Sequence, residues 1–283
     1  MGVQLLLELF FLFVFFSSGY NSNSKEIFSF MHISQKGVDE MENYVDGMKT
    51  FLNSEAVDTS KIPYKRILAV GDIHGHFSEF MTLYKKLNVS EDDLLILLGD
   101  LIEGGNENLS MISWAMTENK KPNVIVLMGN AEDNFLHKPK KTFLSEELKE
   151  PELVAQVIKF MKNMPTHYHI EETFFFCHAG INSKKPLNKQ SKNRLLNSSK
   201  KFAKKYFGKT LVVVGHTPVR KINESSTVPV KFPDRNVLFL DTEIKRGGRI
   251  SCVDVLSGQY WQSDKIKRRT IAFLYNRDGE ITE

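Results

Sequence analysis

The stretch Arg66–His76, RILAVGDIHGH, runs a strand-forming segment straight into Gly71, Asp72, Ile73 and His74. The pattern returns at 93–105, DLLILLGDLIEGG, and at 123–133, NVIVLMGNAED. Short apolar runs rich in Val, Ile and Leu, each closed by Gly, read as buried strands. The segments between them, Phe77–Leu87 and Glu107–Glu118, repeat apolar residues at helical spacing, as does Glu152–Met161 further on. TFFFCHA (173–179), TLVVVG (210–215), NVLFLD (236–241) and RISCVDV (249–255) then follow as further strands. Strand and helix alternating, then consecutive strands, predict an α/β fold with at least one mostly parallel sheet.

In such sheets ligands gather beyond the carboxyl ends of the strands. Asp72, His74, Asp100 and Asn130 stand there, and two later strands end alike, in His178-Ala179-Gly180 and Gly215-His216-Thr217-Pro218. Each of these residues alone is a weak signal, since a single strand-end histidine is commonly structural. As a set beside glycines they can converge on one spot. Imidazole, carboxylate and amide oxygen suit manganese first, with iron, zinc and magnesium as alternatives, and make no demand for thiolate. Six ligands are too many for one catalytic ion with open positions, but they suit two ions sharing a carboxylate. Two metals about 3.5–4 Å apart activate a water and clamp the oxygens of a phosphoryl displacement.

GDIHGH, GDLIEGG, GNAED, HAG and GHTP, in that order, resemble the phosphoprotein phosphatase branch of the calcineurin-like metallophosphoesterases. Within that branch the likeness is to bacterial and phage-type serine/threonine phosphatases and to diadenosine tetraphosphate hydrolases. It extends from about Lys65 to Ser263, closing in a segment that begins at Asp241. The resemblance implies a four-layer α/β/β/α sandwich. It also implies a first metal on Asp72, His74 and Asp100, and a second on Asp100, Asn130, His178 and His216.

The departures from the family pattern fall on turnover. The second motif of the family reads G-D-x-x-D-R-G, where this chain has Glu103 and Gly104 at the D-R positions. The third reads G-N-H-E, and Ala131 replaces the histidine that the family uses to protonate the leaving group. A second arginine of the family aligns with Ser199, through Leu195-Leu196-Asn197-Ser198-Ser199. General acid catalysis contributes roughly 10²–10⁴-fold, and paired arginines position and neutralise phosphate. His76, Glu103 and His137 are candidate stand-in proton donors, His76 and Asn130 candidate substrate contacts, and the lysines of 184–209 candidate replacements for arginine charge. Each has a blander reading as a surface or supporting residue. Two functions remain open at this point. One is a two-metal hydrolase acting on a phosphorylated small molecule, nucleotide or phosphoprotein. The other is a pseudophosphatase that binds metal and a phosphorylated or acidic partner without efficient turnover.

The rest of the chain frames this region. Its 283 residues are 41% hydrophobic and 25% charged with net charge +4, ordinary values for a globular protein. The expected organisation is an apolar segment at 1–24, a polar extension with weak helical patterning at 25–64, the catalytic domain at 65–263 and a tail at 264–283. Val3 to Phe16 is nearly all apolar, interrupted by Gln4 and Glu8. It is shorter than the ~20 residues of a membrane span and lacks the leading basic residue of a secretory signal. A signal or anchor would make the protein secreted or membrane-attached. A mis-chosen start codon, or a helix packed on the body, would leave it cytoplasmic. Leu6 stands where myristoylation needs Ser or Thr. Cys177 and Cys252 read as buried free thiols. Lys184 to Lys209 holds nine Lys and one Arg without an acid. There Leu195, Leu196, Phe202, Ala203, Tyr206 and Phe207 fit one stripe of an amphipathic helix. A nucleic-acid partner is not expected, because this tract interleaves few aromatics and matches no binding motif.

Overall fold

The computed structural model describes residues 62–264, apart from 139–142 and 171. The apolar segment, the polar extension up to residue 61 and most of the tail therefore lie outside the described residues. Among the described residues, ten strands form two five-stranded sheets. In the first, β1 (Arg66–Val70) lies between β2 (Asp93–Leu97) and β9 (Ser251–Asp254), with β3 (Val124–Val126) and β10 (Tyr260–Gln262) at the edges. In the second, β6 (Leu211–Val214) lies between β5 (Phe174–Cys177) and β8 (Val237–Phe239), flanked by β4 (His167–Ile170) and β7 (Val230–Lys231). The neighbours β1-β2-β3 and β5-β6-β8 are parallel, whereas β4, β7, β9 and β10 join antiparallel. Each sheet is thus mixed, and the expectation of a mostly parallel sheet holds only for these central strands.

Alternation along the strands builds the layers, because successive side chains point to opposite faces. From β1, Ile67 and Ala69 meet Phe174, Phe176, Val213 and Leu238 in the core between the sheets. Leu68 and Val70 point the other way, toward helices α1 (Phe77–Leu87), α2 (Asn108–Glu118) and α5 (Pro151–Asn163). Burial on both faces explains why these strands read as unbroken apolar runs. Helix α1 buries Phe80, Leu83 and Leu87 on one stripe and stops at Asn88, whose left-handed backbone ends the helix. Trp114 of α2 packs edge-on to Phe80, with ring centroids 4.6 Å apart. Two further helices, α3 (Asn130–His137) and α4 (Phe143–Glu147), precede α5.

The fourth layer is thin. The stripe expected as one amphipathic helix over 195–207 is instead broken into α6 (Lys192–Asn197) and a 3-10 turn (Lys200–Lys205). Ser198 and Ser199 are extended between them, with ψ of 145° and 163°. Leu195, Phe202, Ala203 and Tyr206 still cover β5, β6 and β8, so the apolar spacing marks the covered residues although no single periodic helix carries them. Phe207 leaves the stripe at 76% exposed, its ring 4.0 Å beneath the Arg235 guanidinium. Both cysteines are buried and free, and burial pushes the Cys177 thiol up to about 12. No helix among the described residues is long and apolar enough to cross a membrane.

Candidate active site

Five parallel strand ends, drawn from both sheets, deliver the six predicted residues to one place. Asp72 and His74 follow β1, Asp100 follows β2, and Asn130 opens α3 after β3. His178 and His216 follow β5 and β6. Two clusters form, Asp72–His74–Asp100 and Asp100–His178–His216, each with ligand atoms within 4.8 Å of one another. Asp100 belongs to both. Its Oδ2 lies 3.7 Å from His74 Nε2, and its Oδ1 lies 3.3 Å from His178 Nε2. Asn130 Oδ1 joins the second cluster, 3.0 Å from His178 Nε2.

The glycines of the motifs are there because the motifs crowd each other. A Cβ at Gly215 would collide with Asp72 Oδ1, and one at Gly129 would collide with the backbone and carboxylate of Asp100. Three of the converging residues are also held in left-handed backbone, with φ of 50° at His74, 50° at Asp100 and 57° at His216. Each such conformation costs on the order of 1 kcal/mol or more and persists only where the surroundings enforce it, as functional sites do.

Hydrogen bonds settle which histidine nitrogens are free. His74 Nδ1 donates to the Ile102 carbonyl at 3.1 Å and His178 Nδ1 donates to the Leu98 carbonyl at 3.0 Å. A carbonyl only accepts, so in the neutral ring each Nε2 carries a lone pair toward the site. Backbone orientation of the far nitrogen is how ligating histidines are ordinarily held. His178 Nε2 then faces two oxygens, from Asn130 and Asp100, that only accept. Lone pair against lone pair repels; a cation among them turns the repulsion into ligation. The donor set therefore fits divalent metal.

Charge points the same way. Burial pushes the Asp72 carboxyl well above its usual range, and Asp241 and Asp100 push it further. Burial likewise raises Asp241, only partly offset by the N–H of Glu243. Burial also acts on Asp100, yet His178, His74 and the Ala131 N–H outweigh it and hold that carboxyl below the usual value. Burial and the neighbouring His178 bring His216 down to about 4, which keeps its imidazole neutral near pH 7, as a ligand requires. Three buried carboxylates in mutual repulsion need positive charge.

Two residues that the sequence reading left out belong to this site. Asp241 ends the apolar run of β8 as Asp72 ends that of β1, and that parallel was the available signal. Glu132 is fully buried and clamps two motif loops together. Its Oε2 accepts from the N–H groups of Gly129 (2.8 Å) and Asp100 (3.0 Å), and its Oε1 accepts from Leu101 (2.8 Å). Burial and the nearby Asp100 push Glu132 up to about 8 while these N–H bonds pull the other way. Glu132→Gln keeps one acceptor oxygen and replaces the other with an amide NH2 that faces backbone N–H donors. We expect it to lose about 3 kcal/mol of unfolding free energy, read from the urea midpoint at unchanged slope. Wild-type stability in this variant would show the clamp to be dispensable.

The candidate stand-ins fare unequally. His76 caps α1 and donates its Nδ1–H to the Ile73 carbonyl at 3.1 Å. Glu103 adopts φ 73° and donates its backbone N–H to Asn108. His137 sits at the far end of α3, its side chain 70% exposed and its Nδ1 bound to the Asp133 carbonyl of its own helix. Seven residues along a helix separate it from Asn130 by roughly 10 Å, so it is not positioned as the acid. Ala131 is buried at 4% exposure, and its N–H donates to Asp100 Oδ1 at 2.8 Å. Ser199 is exposed at the start of the 3-10 turn. Among the lysines of 184–209, Lys192 pairs with Asp133 at 2.6 Å and Lys200 donates to the Lys221 carbonyl.

A double sheet with paired metal-ligand clusters at the strand ends defines a class of metal-dependent phosphate hydrolases. Residues 65–251 match the pattern described as calcineurin-like phosphoesterase, and the chain belongs to that family. It is similar to the asymmetrical bis(5'-nucleosyl)-tetraphosphatase PrpE of Bacillus cereus (strain Q1), 27% identical over 198 residues covering 54% of this chain and 78% of that one. Over 70 residues it is 44% identical to serine/threonine-protein phosphatase 2 of Salmonella typhimurium, which covers 24% of this chain and 30% of that one. In fold it resembles the crystal structure of a candidate diadenosine tetraphosphatase, with TM-score 0.59 at 19% identity over 71% of this chain and 94% of that one. It also resembles a serine/threonine phosphatase of Saccharomyces cerevisiae, with TM-score 0.52 at 13% identity over 82% and 89%. The four-layer sandwich, the hydrolase class and the use of divalent metal follow from family membership.

Proposed function

We propose that the protein hydrolyses phosphoanhydrides, nucleotides foremost, and other phosphoesters whose leaving group departs without a proton, and that manganese is its preferred metal. The observation that carries this reading is an assembled ligand set beside a buried methyl group at the proton-donor position. Asp72, His74 and Asp100 would hold one ion. Asp100, Asn130, His178 and His216 would hold the other. When bound, the ions supply Lewis-acid charge and a water made acidic enough to attack phosphorus. The chain supplies orientation: the bonds from Nδ1 of His74 and His178 fix both imidazoles, and the Ala131 N–H fixes the shared carboxylate. Nothing at position 131 can give a proton to the departing oxygen. A phosphate or nucleotide leaving from an anhydride, or a phenolate, is weakly basic and needs none; a serine alkoxide does.

Two further observations support a nucleotide. The relatives that match over most of their length carry a dinucleoside tetraphosphatase name. A cavity of about 440 Å³, lined by Gly104, Gly105, Asn106, Glu146 and Glu147, opens beside the second motif. Within it the Glu146 carboxylate suits hydroxyl and amine donors of a nucleoside better than another phosphate, while Glu147 is bonded to Asn108 and Leu109. The alternative of a binding protein without turnover gains no support from relatives named as enzymes.

The test is to load the full chain with Mn²⁺, Mg²⁺, Zn²⁺ or Fe²⁺ and assay a dinucleoside tetraphosphate and an aryl phosphate. No turnover with any metal would remove this reading. Metal should also stabilise the fold by mass action, by about 2.7 kcal/mol at a free concentration 100 times Kd. A melting temperature indifferent to Mn²⁺ and to chelator would count against the ligand set.

A further inference from the structure

Most cations around the site are already committed. Arg220 Nε pairs with the carboxylate of Glu243, and Arg246 Nη1 stands 3.5 Å from the same group. Lys192 and Lys200 are tied to Asp133 and to a backbone carbonyl. Lys245, like Lys221, is exposed and makes no ion pair with any described residue. Its stem nevertheless has a defined seat. A Cβ built on Gly104 would lie 3.2 Å from Lys245 Cγ and 3.1 Å from His74 Cβ. The space that a side chain at 104 would need is therefore shared by the Lys245 stem, directly beside a predicted metal ligand.

The backbone that presents Lys245 is held on every side. Asp241, before it, is buried and interacts electrostatically with His74. Glu243 has left-handed backbone at φ 63° and a 6% exposed side chain under its two arginines. Ile244 is 1% exposed in the core beneath the 3-10 turn Ile244–Arg246. An anchored Cα, a stem beside Gly104 and an ammonium with no ion pair among the described residues put a positive charge within reach of the Asp72–His74–Asp100 cluster.

We propose that Lys245 binds the phosphoryl oxygens of the substrate, doing from another loop what an arginine at position 104 would do. This rests on the phosphoesterase reading above. A lysine is a point charge on a flexible stem, without the planar fork that selects one phosphate geometry. It would accept the differently placed phosphates of an anhydride chain as readily as a single terminal group.

Orthophosphate, the product common to every such reaction, is the probe. Titrated calorimetrically into Mn²⁺-loaded wild type, Lys245→Ala, Lys245→Gln and Lys245→Arg, it should bind the Ala and Gln variants about 10- to 100-fold more weakly, the usual range for a lost charged hydrogen bond. Lys245→Arg should stay within about threefold, because the charge is kept. Bound metal and melting temperature should match wild type throughout, and KM for an aryl phosphate should rise more than kcat falls. Wild-type affinity in Lys245→Ala overturns the assignment and leaves the phosphoesterase reading standing. So does a parallel loss of metal or melting temperature, which would make Lys245 structural. Wild type that holds metal yet neither binds orthophosphate nor hydrolyses substrate overturns both.

Discussion

Asp100→Asn is expected to cut kcat/KM for every substrate by about 10³-fold or more, roughly 4 kcal/mol of transition-state stabilisation. The reason is geometric. Its two carboxylate oxygens face different histidines, Oδ2 toward His74 and Oδ1 toward His178. An amide offers one oxygen and a donor in place of the second oxygen, so one of the two clusters must lose a ligand and both lose the bridging charge. The Ala131 N–H can still find an oxygen at Oδ1, so the start of α3 should survive. Metal content by elemental analysis should fall below that of wild type while the far-ultraviolet circular dichroism spectrum is unchanged. Full activity with this substitution would mean that the two clusters do not share a carboxylate in the working enzyme.

The second large effect concerns the leaving group. With all else matched, a phosphoserine peptide should turn over roughly 10²–10⁴-fold more slowly than an aryl phosphate or a dinucleoside tetraphosphate, the range a general acid ordinarily contributes. A plot of log kcat against leaving-group pKa should be steep. Ala131→His should flatten it, raising the rate for the alkyl ester and scarcely changing the anhydride. Ala131 sits in the apolar cluster that includes Phe135 and Met128, so the new imidazole must displace packing, and a thermal melt belongs beside the kinetics. A folded, metal-loaded Ala131→His with an unchanged slope would show that leaving-group protonation is not what the chain lacks. A wild type that already prefers phosphoserine would show the same, and would point to His76 or Glu103.

How legible the fold was depended on burial. Strands with both faces covered, such as β1, β2, β5 and β6, announce themselves as continuous apolar runs. The edge strands β4, β7 and β10 are half-buried, so HYHI, VK and YWQ carry no such signal. The stripe from Leu195 to Phe207 has helical spacing, but spacing records only which residues are covered. Phe202 lies against Gly180, and the Ala179 N–H bonds to the Leu195 carbonyl at 2.7 Å. Those contacts bend the chain at Ser198 and Ser199 and defeat the local pattern.

By itself the sequence determined the α/β class, the strand ends and the six residues that stand beyond them. Strand-end position and ligand chemistry are local properties, written in adjacent residues. It also determined what is missing, because an alanine or a glycine in a motif needs no structure to be seen. Tertiary structure alone decided which oxygen of Asp100 faces which histidine, that Glu132 ties two loops together, and that Asp241 adds a third buried carboxylate. It alone brought Lys245 over Gly104, across 141 positions of chain. Charge and reach act through space, and no pattern along the chain records which distant stem will fill the room a glycine leaves.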